Sequence, residues 1–253
     1  MRGRSLILVP LVLAAFGCAG HGQRQAQRHG VSGVRQQACA PGSYRVYGSD
    51  QLAYAAVVRS HAVAWRRPGR GRILAQFGRL NQNKLPTIFG VRGALVDKHC
   101  AATWYQVELP IRPNGTSGWV PAAQVALAPI ETRIVVDLSA RRLTLYRSGR
   151  PLLSSRVAVG ASGTPTPIGD YYVNQRLIPT APKGPYGPAA VGISAFSNVL
   201  TGWAQGGPIA IHGTNEPSSI GHAASNGCVR VQNRVLRRLF RVTPSGTPVT
   251  VHP

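Results

Sequence analysis

The sequence predicts a mainly β protein, built from two consecutive β domains with one or two short helices. Two observations support this fold class. The 253 residues include 29 glycines and 20 prolines but only 14% charged residues, a mixture that favours short strands and many turns over long helices. Short apolar and alternating segments recur along the chain, and hydrophobic residues make up 43% of it, enough for a packed core.

The first 18 residues have the features of a signal peptide. A positively charged start precedes an apolar run from Leu6 to Phe16, too short to span a bilayer, and Gly17-Cys18 follows. The alternative is a lipoprotein-type signal in which Cys18 receives a lipid, although Phe16 stands where a small residue is usual. Both alternatives predict an exported protein of the cell wall or periplasm, bound to a membrane only through such a lipid.

Residues 19–43 are polar and lack apolar periodicity, so we expect a flexible tether there. The whole chain is strongly basic, with 29 Lys and Arg against 7 Asp and Glu and a formal net charge of +22. Such a surface attracts anionic polymers. Nucleic acid is not expected as the partner, because no recognisable nucleic-acid-binding motif accompanies the charge. Anionic wall polymers remain as partners, and an Arg-rich composition without functional meaning is the alternative.

Residues 44–128 have the pattern of a small β domain. Strand regions are expected at 57–65, 73–77 and 104–109, and a last short strand at 118–120. The arrangement WYQVEL…GTSGWVPAAQV resembles bacterial SH3-like domains, which implies a small β-barrel. Such a module binds the wall or serves as a spacer, and the sequence leaves both open.

Pro129 and its neighbours are expected to link this module to a second domain over residues 132–253. Strands are predicted there at 134–138, 143–146, 157–159, 170–173, 209–212 and 248–251. One helix is predicted after residue 232, with Asn233 as its N-cap. Its apolar face is formed by Val235, Leu236, Leu239 and Phe240.

A cysteine and a histidine supply the candidate chemistry of the second domain. His212 ends the apolar strand IAIH, on the face opposite its isoleucines, and Cys228 lies sixteen residues further on, in SNGCVR. A cysteine is a strong nucleophile as the thiolate, and an imidazole can act as its base. Backbone N–H groups around Gly227 and Cys228 are then expected to stabilise an oxyanion. By residue type alone, a structural cysteine and a structural histidine remain open.

The wider pattern resembles a known family. The stretch IAIHGTN…SIGHAASNGCVRVQN closely resembles the catalytic signature of the L,D-transpeptidases, also called YkuD-type domains. Upstream, IVVDLSARRLTLYRSGRPLLSSRVAVG resembles the opening hairpin of the family, and TPIG at 166–169 resembles its Thr-Pro-x-Gly stretch. The resemblance covers about residues 133–252 and implies an L,D-transpeptidase-type β-sandwich.

The resemblance implies catalytic roles for three residues. Cys228 matches the nucleophile that becomes acylated, and His212 matches the general base. The carbonyl group of Gly213 matches the group that orients the histidine ring. No metal or organic cofactor is implied.

Further residues are implied on the substrate side. Arg230 is suited to holding a substrate carboxylate, and Ser225 and Gly227 match positions that shape the nucleophile loop. Asn226 departs from the pattern, because many members have His, Lys or Arg there. Tyr186 resembles part of a substrate-side loop, and an ordinary Pro/Gly loop is the alternative.

The implied reaction forms cross-links between peptidoglycan stem peptides through a thioester on Cys228. If water accepts the acyl group, the enzyme is an L,D-carboxypeptidase, and if a protein amine accepts it, the enzyme anchors a protein to the wall. The alternative of another class is a non-catalytic wall-binding protein that acts through the SH3-like module. Since an oxidising compartment favours disulfides and the motif requires a free Cys228, Cys39 and Cys100 are predicted to pair.

Overall fold

The computed structural model describes residues 39–253, and the first part of this range forms an antiparallel sheet of eight strands. The predicted signal peptide with Cys18, and the tether up to residue 38, lie outside the described residues. The strands are β1 (Tyr44–Val46), β2 (Ala53–Val58), β3 (His61–Arg67), β4 (Arg70–Gly78), β5 (Ile88–Val96), β6 (Ala102–Glu108), β7 (Ser117–Pro121) and β8 (Val125–Ile130). Their order is β4-β3-β7-β6-β5-β2-β8, with β1 beside β5. The SH3-like class of this module stays a prediction.

The strand region predicted at 57–65 is two strands with different partners. β2 pairs with β5 and β8, whereas β3 pairs with β4 and β7. Strand β2 ends before Arg59. The N–H of Arg59 donates to the carbonyl oxygen of Gln124, and its Nε donates to the carbonyl oxygen of Val125. These long-range bonds, which the local pattern does not encode, end the first strand.

β5 is a central strand that the local pattern did not predict. Two glycines interrupt its apolar run, and each admits an aromatic ring. A side chain at Gly90 would meet the ring of Tyr172, and one at Gly93 would meet that of Tyr44. The glycines therefore let β5 pack closely against aromatic rings of neighbouring strands.

The expected linker at Pro129 is instead part of β8, where Pro129 lies opposite Tyr54. Proline is tolerated at that position because β8 is an edge strand of its sheet. The next strand begins at Thr132, so Glu131 alone separates the two sheets.

The second sheet contains eight strands in the order β11-β10-β9-β18-β13-β14-β15-β17. The bounds of these strands, and of the β12–β16 pair beside them, are β9 (Thr132–Asp137), β10 (Arg142–Arg147), β11 (Arg150–Arg156), β12 (Val159–Gly160), β13 (Gly169–Leu177), β14 (Ala190–Phe196), β15 (Pro208–His212), β16 (Ala223–Ser225), β17 (Val229–Arg230) and β18 (Pro248–His252). β9 and β18 are parallel, as are β15 and β17. The mainly β class is thus confirmed, while the strand predicted at 157–159 is reduced to the short β12.

β13 joins two groups of strands. Its first half, Gly169–Tyr172, pairs with β18, and its second half pairs with β14. One apolar core draws residues from both groups, including Ile134, Leu145, Ile193 and Ile211. This core supports the strands that carry the candidate site.

The predicted helix is present as α1 (Asn233–Val242), and Leu236 and Leu239 enter the core. Asn233 is its first residue and not its N-cap; the N-cap is Gln232, whose side chain makes no capping hydrogen bond. Three single-turn 3₁₀ helices accompany it in the described part of the chain, at Ala122–Gln124, Ala204–Gly206 and Pro217–Ser219. No helix among residues 39–253 is long and apolar enough to cross a membrane.

The cysteine pairing agrees with the prediction. Cys39 and Cys100 form a disulfide, and Cys228 is free. The bridge ties the start of the described chain to the segment between β5 and β6.

Candidate active site

Two adjacent parallel strands bring the predicted base and nucleophile together. The register of β15 and β17 pairs His212 with Arg230. Cys228 directly precedes β17, so the same register places it beside Ala210 and diagonal to His212. Because side chains alternate with a period of two, these four residues share one face, while Ile211 points into the core. Strand pairing thus brings together His212 and Cys228, which are sixteen positions apart in the sequence.

Small residues on this face leave room for a cavity of about 900 Å³ that His212 and Cys228 both line. β14 contributes Ala190 opposite His212 and Gly192 opposite Ala210. A side chain at Gly192 would collide with Gln175, which also lines the cavity. The alternation in β14 and β15 therefore encodes a packed core on one face and an open cavity on the other.

The imidazole of His212 is held in one tautomer. Its Nδ1 lies 2.5 Å from the carbonyl oxygen of Gly213, and since a carbonyl can only accept, Nδ1 carries the hydrogen and Nε2 keeps its lone pair. Burial lowers the pKa of His212 to about 4, against the opposing effect of the Gly213 carbonyl, and the Arg230 charge lowers it further. The ring is therefore neutral at neutral pH and can accept a proton at Nε2.

Cys228 rests as a thiol. It is partly exposed to the cavity, yet the surrounding protein desolvates it. This burial raises the pKa of Cys228, although the backbone of Ala210 and the charge of Arg230 lower it. The two groups that line the cavity are thus a neutral imidazole and a thiol whose pKa is raised.

The loop before Cys228 is shaped by Ser225. This buried hydroxyl donates to the carbonyl oxygen of Cys228 (2.5 Å) and accepts from the N–H of Gly227 (3.2 Å). Gly227 has φ +104°, a conformation that favours glycine. The Gly227 N–H, which the sequence suggested as an oxyanion donor, thus already has a partner inside the loop.

A second segment, which sequence reasoning did not assign to the site, supports the same loop. Thr164 donates from Oγ1 to the carbonyl oxygen of Ser225 (3.0 Å), and the N–H of Ala161 donates to that oxygen (2.9 Å). Thr164 lies two residues before the TPIG stretch that resembled the family, which was the available signal.

The substrate-side residues lie at the rim of the cavity. Arg230 faces it but already pairs with Glu216, with Nη1 2.7 Å from Oε2. Tyr186 also borders the cavity, and its ring meets the ring of His212 edge to face, with 5.0 Å between centroids. Asn226 is exposed and lines the cavity too. The structure thus gathers every predicted site residue, and adds Glu216.

Gly213 is required by packing and not by a special turn. A side chain there would collide with the side-chain oxygen of Asn233 and with Pro188. Asn233 accepts from the N–H of Thr214 (2.9 Å) and donates from Nδ2 to the carbonyl oxygen of the same residue (3.0 Å). Sequence reasoning assigned Asn233 to helix capping and missed this contact.

The first sheet reaches the cavity through the segment between β4 and β5. Asn83 lines the cavity, donates to Gln175 Oε1 (2.7 Å) and accepts from Gln205 (3.1 Å).

Within residues 39–253, no group of three or more His, Cys, Asp or Glu side chains is arranged to hold a metal ion.

Comparison with known proteins identifies the family to which this chain belongs. The family model of the L,D-transpeptidase catalytic domain (YkuD) matches residues 131–251. A Bacillus licheniformis protein, YkuD, whose name assigns it to the L,D-transpeptidases, is 35% identical over 158 residues, which cover 60% of this chain and 88% of that protein. The YkuD protein of Bacillus subtilis is 35% identical over 123 residues, which cover 49% of this chain and 67% of that protein. The chain therefore belongs to the L,D-transpeptidase (YkuD) family.

Solved structures of similar proteins include a mutant of the Enterococcus faecium L,D-transpeptidase. It is 26% identical, with a TM-score of 0.37, and the match covers 48% of this chain and 49% of that chain. An L,D-transpeptidase from Mycobacterium smegmatis is 15% identical, with a TM-score of 0.41, over 60% of this chain and 78% of its own. The chain thus spans about half the length of the E. faecium protein.

Proposed function

We propose that this protein is a peptidoglycan L,D-transpeptidase that forms cross-links between stem peptides through a thioester on Cys228. The observation that carries the proposal is the pairing of β15 with β17, which places Cys228 and a single-tautomer His212 on one face of a cavity. Family membership agrees with this chemistry.

In the acylation step, Nε2 of His212 takes the thiol proton while the sulfur of Cys228 attacks a carbonyl carbon. That carbonyl joins a meso-diaminoacyl residue to a terminal D-Ala of the donor stem. As the tetrahedral intermediate collapses, the C–N bond breaks, His212 returns its proton to the leaving amine, and D-Ala departs. A thioester remains on Cys228.

In the second step, the side-chain amine of an acceptor stem attacks the thioester carbonyl. His212 removes a proton from this amine, and Cys228 leaves as the thiol after receiving it. The product is an L,D cross-link. Water in place of the amine would give an L,D-carboxypeptidase, and a protein amine would give an anchoring enzyme.

The oxyanion of both steps needs hydrogen-bond donors. Because the Gly227 N–H is committed to Ser225, we assign the oxyanion to the N–H of Cys228 itself, which leads directly into β17. This follows the general rule that backbone donors near the nucleophile stabilise developing charge.

Arg230 is assigned to the carboxylate of the donor stem. Its guanidinium has five N–H donors in a planar fork, of which Glu216 engages Nη1. A substrate carboxylate would therefore share Arg230 with Glu216 or replace it. The Glu216 side chain is 62% exposed, so its release into water costs little.

Incubation of the purified protein with tetrapeptide muropeptides, followed by mass spectrometry, tests the proposal. Release of D-Ala with a dimeric product supports transpeptidation, whereas release of D-Ala with a trimmed monomer assigns carboxypeptidase activity. Cys228→Ala is the control and should give neither product. If the folded wild-type protein leaves muropeptides unchanged but still sediments with insoluble wall, the non-catalytic binder replaces the enzyme.

The proposal extends to the location of the protein. We propose that residues 1–18 direct export, with a lipid on Cys18 as the alternative to cleavage, and that the strongly basic chain contacts anionic wall polymers. The net charge of +22 supports the polymer contact. Lipid labelling of cells that express the full chain decides between the two fates of Cys18.

A further inference from the structure

We propose that Asn233 is a positioning residue that fixes the tautomer and orientation of His212 through the peptide group between Gly213 and Thr214. The inference rests on the proposed role of His212 as the base. It concerns a residue that makes no contact with substrate in the proposed mechanism.

His212 and Asn233 bind opposite sides of one peptide group. The carbonyl of Gly213 accepts from His212 Nδ1, and the N–H of Thr214, in the same peptide plane, donates to Asn233 Oδ1 (2.9 Å). A trans peptide is rigid and planar, with its C=O and N–H pointing in opposite directions. Holding the N–H therefore holds the carbonyl that orients the imidazole.

The side chain of Asn233 is itself fixed in one orientation. Its Nδ2 donates to the carbonyl oxygen of Thr214 (3.0 Å) while its Oδ1 accepts from the N–H of the same residue. Exchanging oxygen and nitrogen would lose both bonds, so the network defines the amide orientation. The backbone of Asn233 starts α1, which Leu236 and Leu239 anchor in the core.

The side-chain oxygen of Asn233 is also closely packed against two glycines. Side chains at Gly187 or Gly213 would both collide with Asn233 Oδ1. Two glycines thus let the 187 loop and the 213 loop close on one amide. The neighbour of Gly187, Tyr186, then reaches the ring of His212.

The local sequence is also not optimised for the helix. Asn is a preferred N-cap residue, yet here it occupies the first helical position, and the Gln232 side chain makes no cap bond. A local rule broken without a local gain is expected where a residue serves function. The Asn233 side chain makes its hydrogen bonds to the backbone of Thr214 and does not cap the helix.

The experiment compares Asn233→Ala with Asn233→Asp in the full chain. Asp keeps an acceptor for the Thr214 N–H, while its second oxygen replaces the Nδ2 donor and adds a negative charge, so Asn233→Asp tests the acceptor on an unfavourable background. Ring ¹⁵N shifts of His212 report its tautomer, and His212→Gln identifies its signal among the 7 histidines. We expect the Nδ1–H form in wild type and Asn233→Asp, and a tautomer mixture in Asn233→Ala.

We also expect the acylation rate of Asn233→Ala to fall about tenfold to a hundredfold at unchanged KM, part of the roughly 10²–10⁴-fold that a positioned base supplies. Asn233→Asp should stay within a few-fold of wild type. A wild-type tautomer in Asn233→Ala overturns the proposal, and so does a mixed tautomer in Asn233→Asp, which serves even if the alanine variant does not fold. The NMR measurement needs no substrate, so it fails or succeeds independently of the proposed reaction.

Discussion

The two sheets of the protein use their polar side chains in different ways. The second sheet concentrates His212, Cys228 and Arg230 on one face, at a parallel strand pair. The first sheet is antiparallel throughout its described pairs, and polar side chains of its loops reach across to the other sheet. Arg112 donates to the carbonyl oxygens of Ser197 and Gly206, both at 2.7 Å. One sheet therefore carries His212 and Cys228, and the loops of the other hold part of the wall of their cavity.

The strongest test of this division removes the nucleophile. A carbapenem offers a strained carbonyl to Cys228, and its carboxylate can pair with Arg230, so wild type should gain one drug mass in intact-protein mass spectrometry. Cys228→Ala should gain none, because the remaining described cysteines form the Cys39–Cys100 disulfide. An adduct that persists in Cys228→Ala would falsify the assignment of the nucleophile.

The pH dependence of acylation tests the neutral resting pair. Because the pKa of His212 is lowered to about 4, the acylation rate of wild type should rise with a midpoint near pH 4 and stay level through neutral pH. His212→Gln should lose about 10²–10⁴-fold at pH 7. Its residual rate should climb about tenfold per pH unit, since only thiolate then reacts and the pKa of Cys228 is raised.

Rapid carbapenem acylation across this range, measured by stopped flow, provides the comparison. A wild-type midpoint at or above the ordinary histidine pKa would show that His212 is not desolvated as described. A level profile in His212→Gln would remove His212 from proton transfer.

The contribution of the first sheet predicts a smaller effect. Asn114 brackets Phe196, accepting from its N–H (2.9 Å) and donating to its carbonyl (2.8 Å), and with Arg112 it fixes the segment that borders the cavity. Replacing both by alanine should raise KM for muropeptides a few-fold, because the wall loosens. Carbapenem acylation should change less, since that small probe contacts the region around Cys228.

Arg66→Ala is the matched control for this double variant. Arg66 is exposed and belongs to the same sheet, so its loss changes charge without changing the wall. Equal KM effects in the control and the double variant would mean that charge, and not the shape of the wall, explains the result.

The smallest effect on activity is expected from the disulfide. Cys39 and Cys100 are 61 residues apart in sequence, so joint replacement by alanine should lower the free energy of unfolding by up to about 4 kcal/mol. Urea denaturation measures this loss. Acylation of Cys228 in the folded variant should match wild type; a parallel loss of acylation would show that the two sheets are not separable in this way.

Part of the fold could be predicted because the signal is local. The helix over 233–242 follows from its apolar face, and the strand ending in His212 follows from its alternation. β5 and β14 went unpredicted, since glycines such as Gly90 and Gly192 interrupt their patterns to admit neighbouring side chains. The sequence shows the glycines that interrupt the pattern. It does not show the Tyr172 ring and the Gln175 side chain that pack against them.

The sequence by itself determined the family, the disulfide pair and the identity of the residues around Cys228 and His212, because short motifs and cysteine chemistry are written along the chain. Only the tertiary structure shows that burial lowers the pKa of His212 to about 4 and raises the pKa of Cys228. It also turned the expected cap residue Asn233 into a partner of Thr214, and gave the Gly227 N–H to Ser225. These features depend on desolvation and on hydrogen bonds whose partners only the folded chain brings into contact.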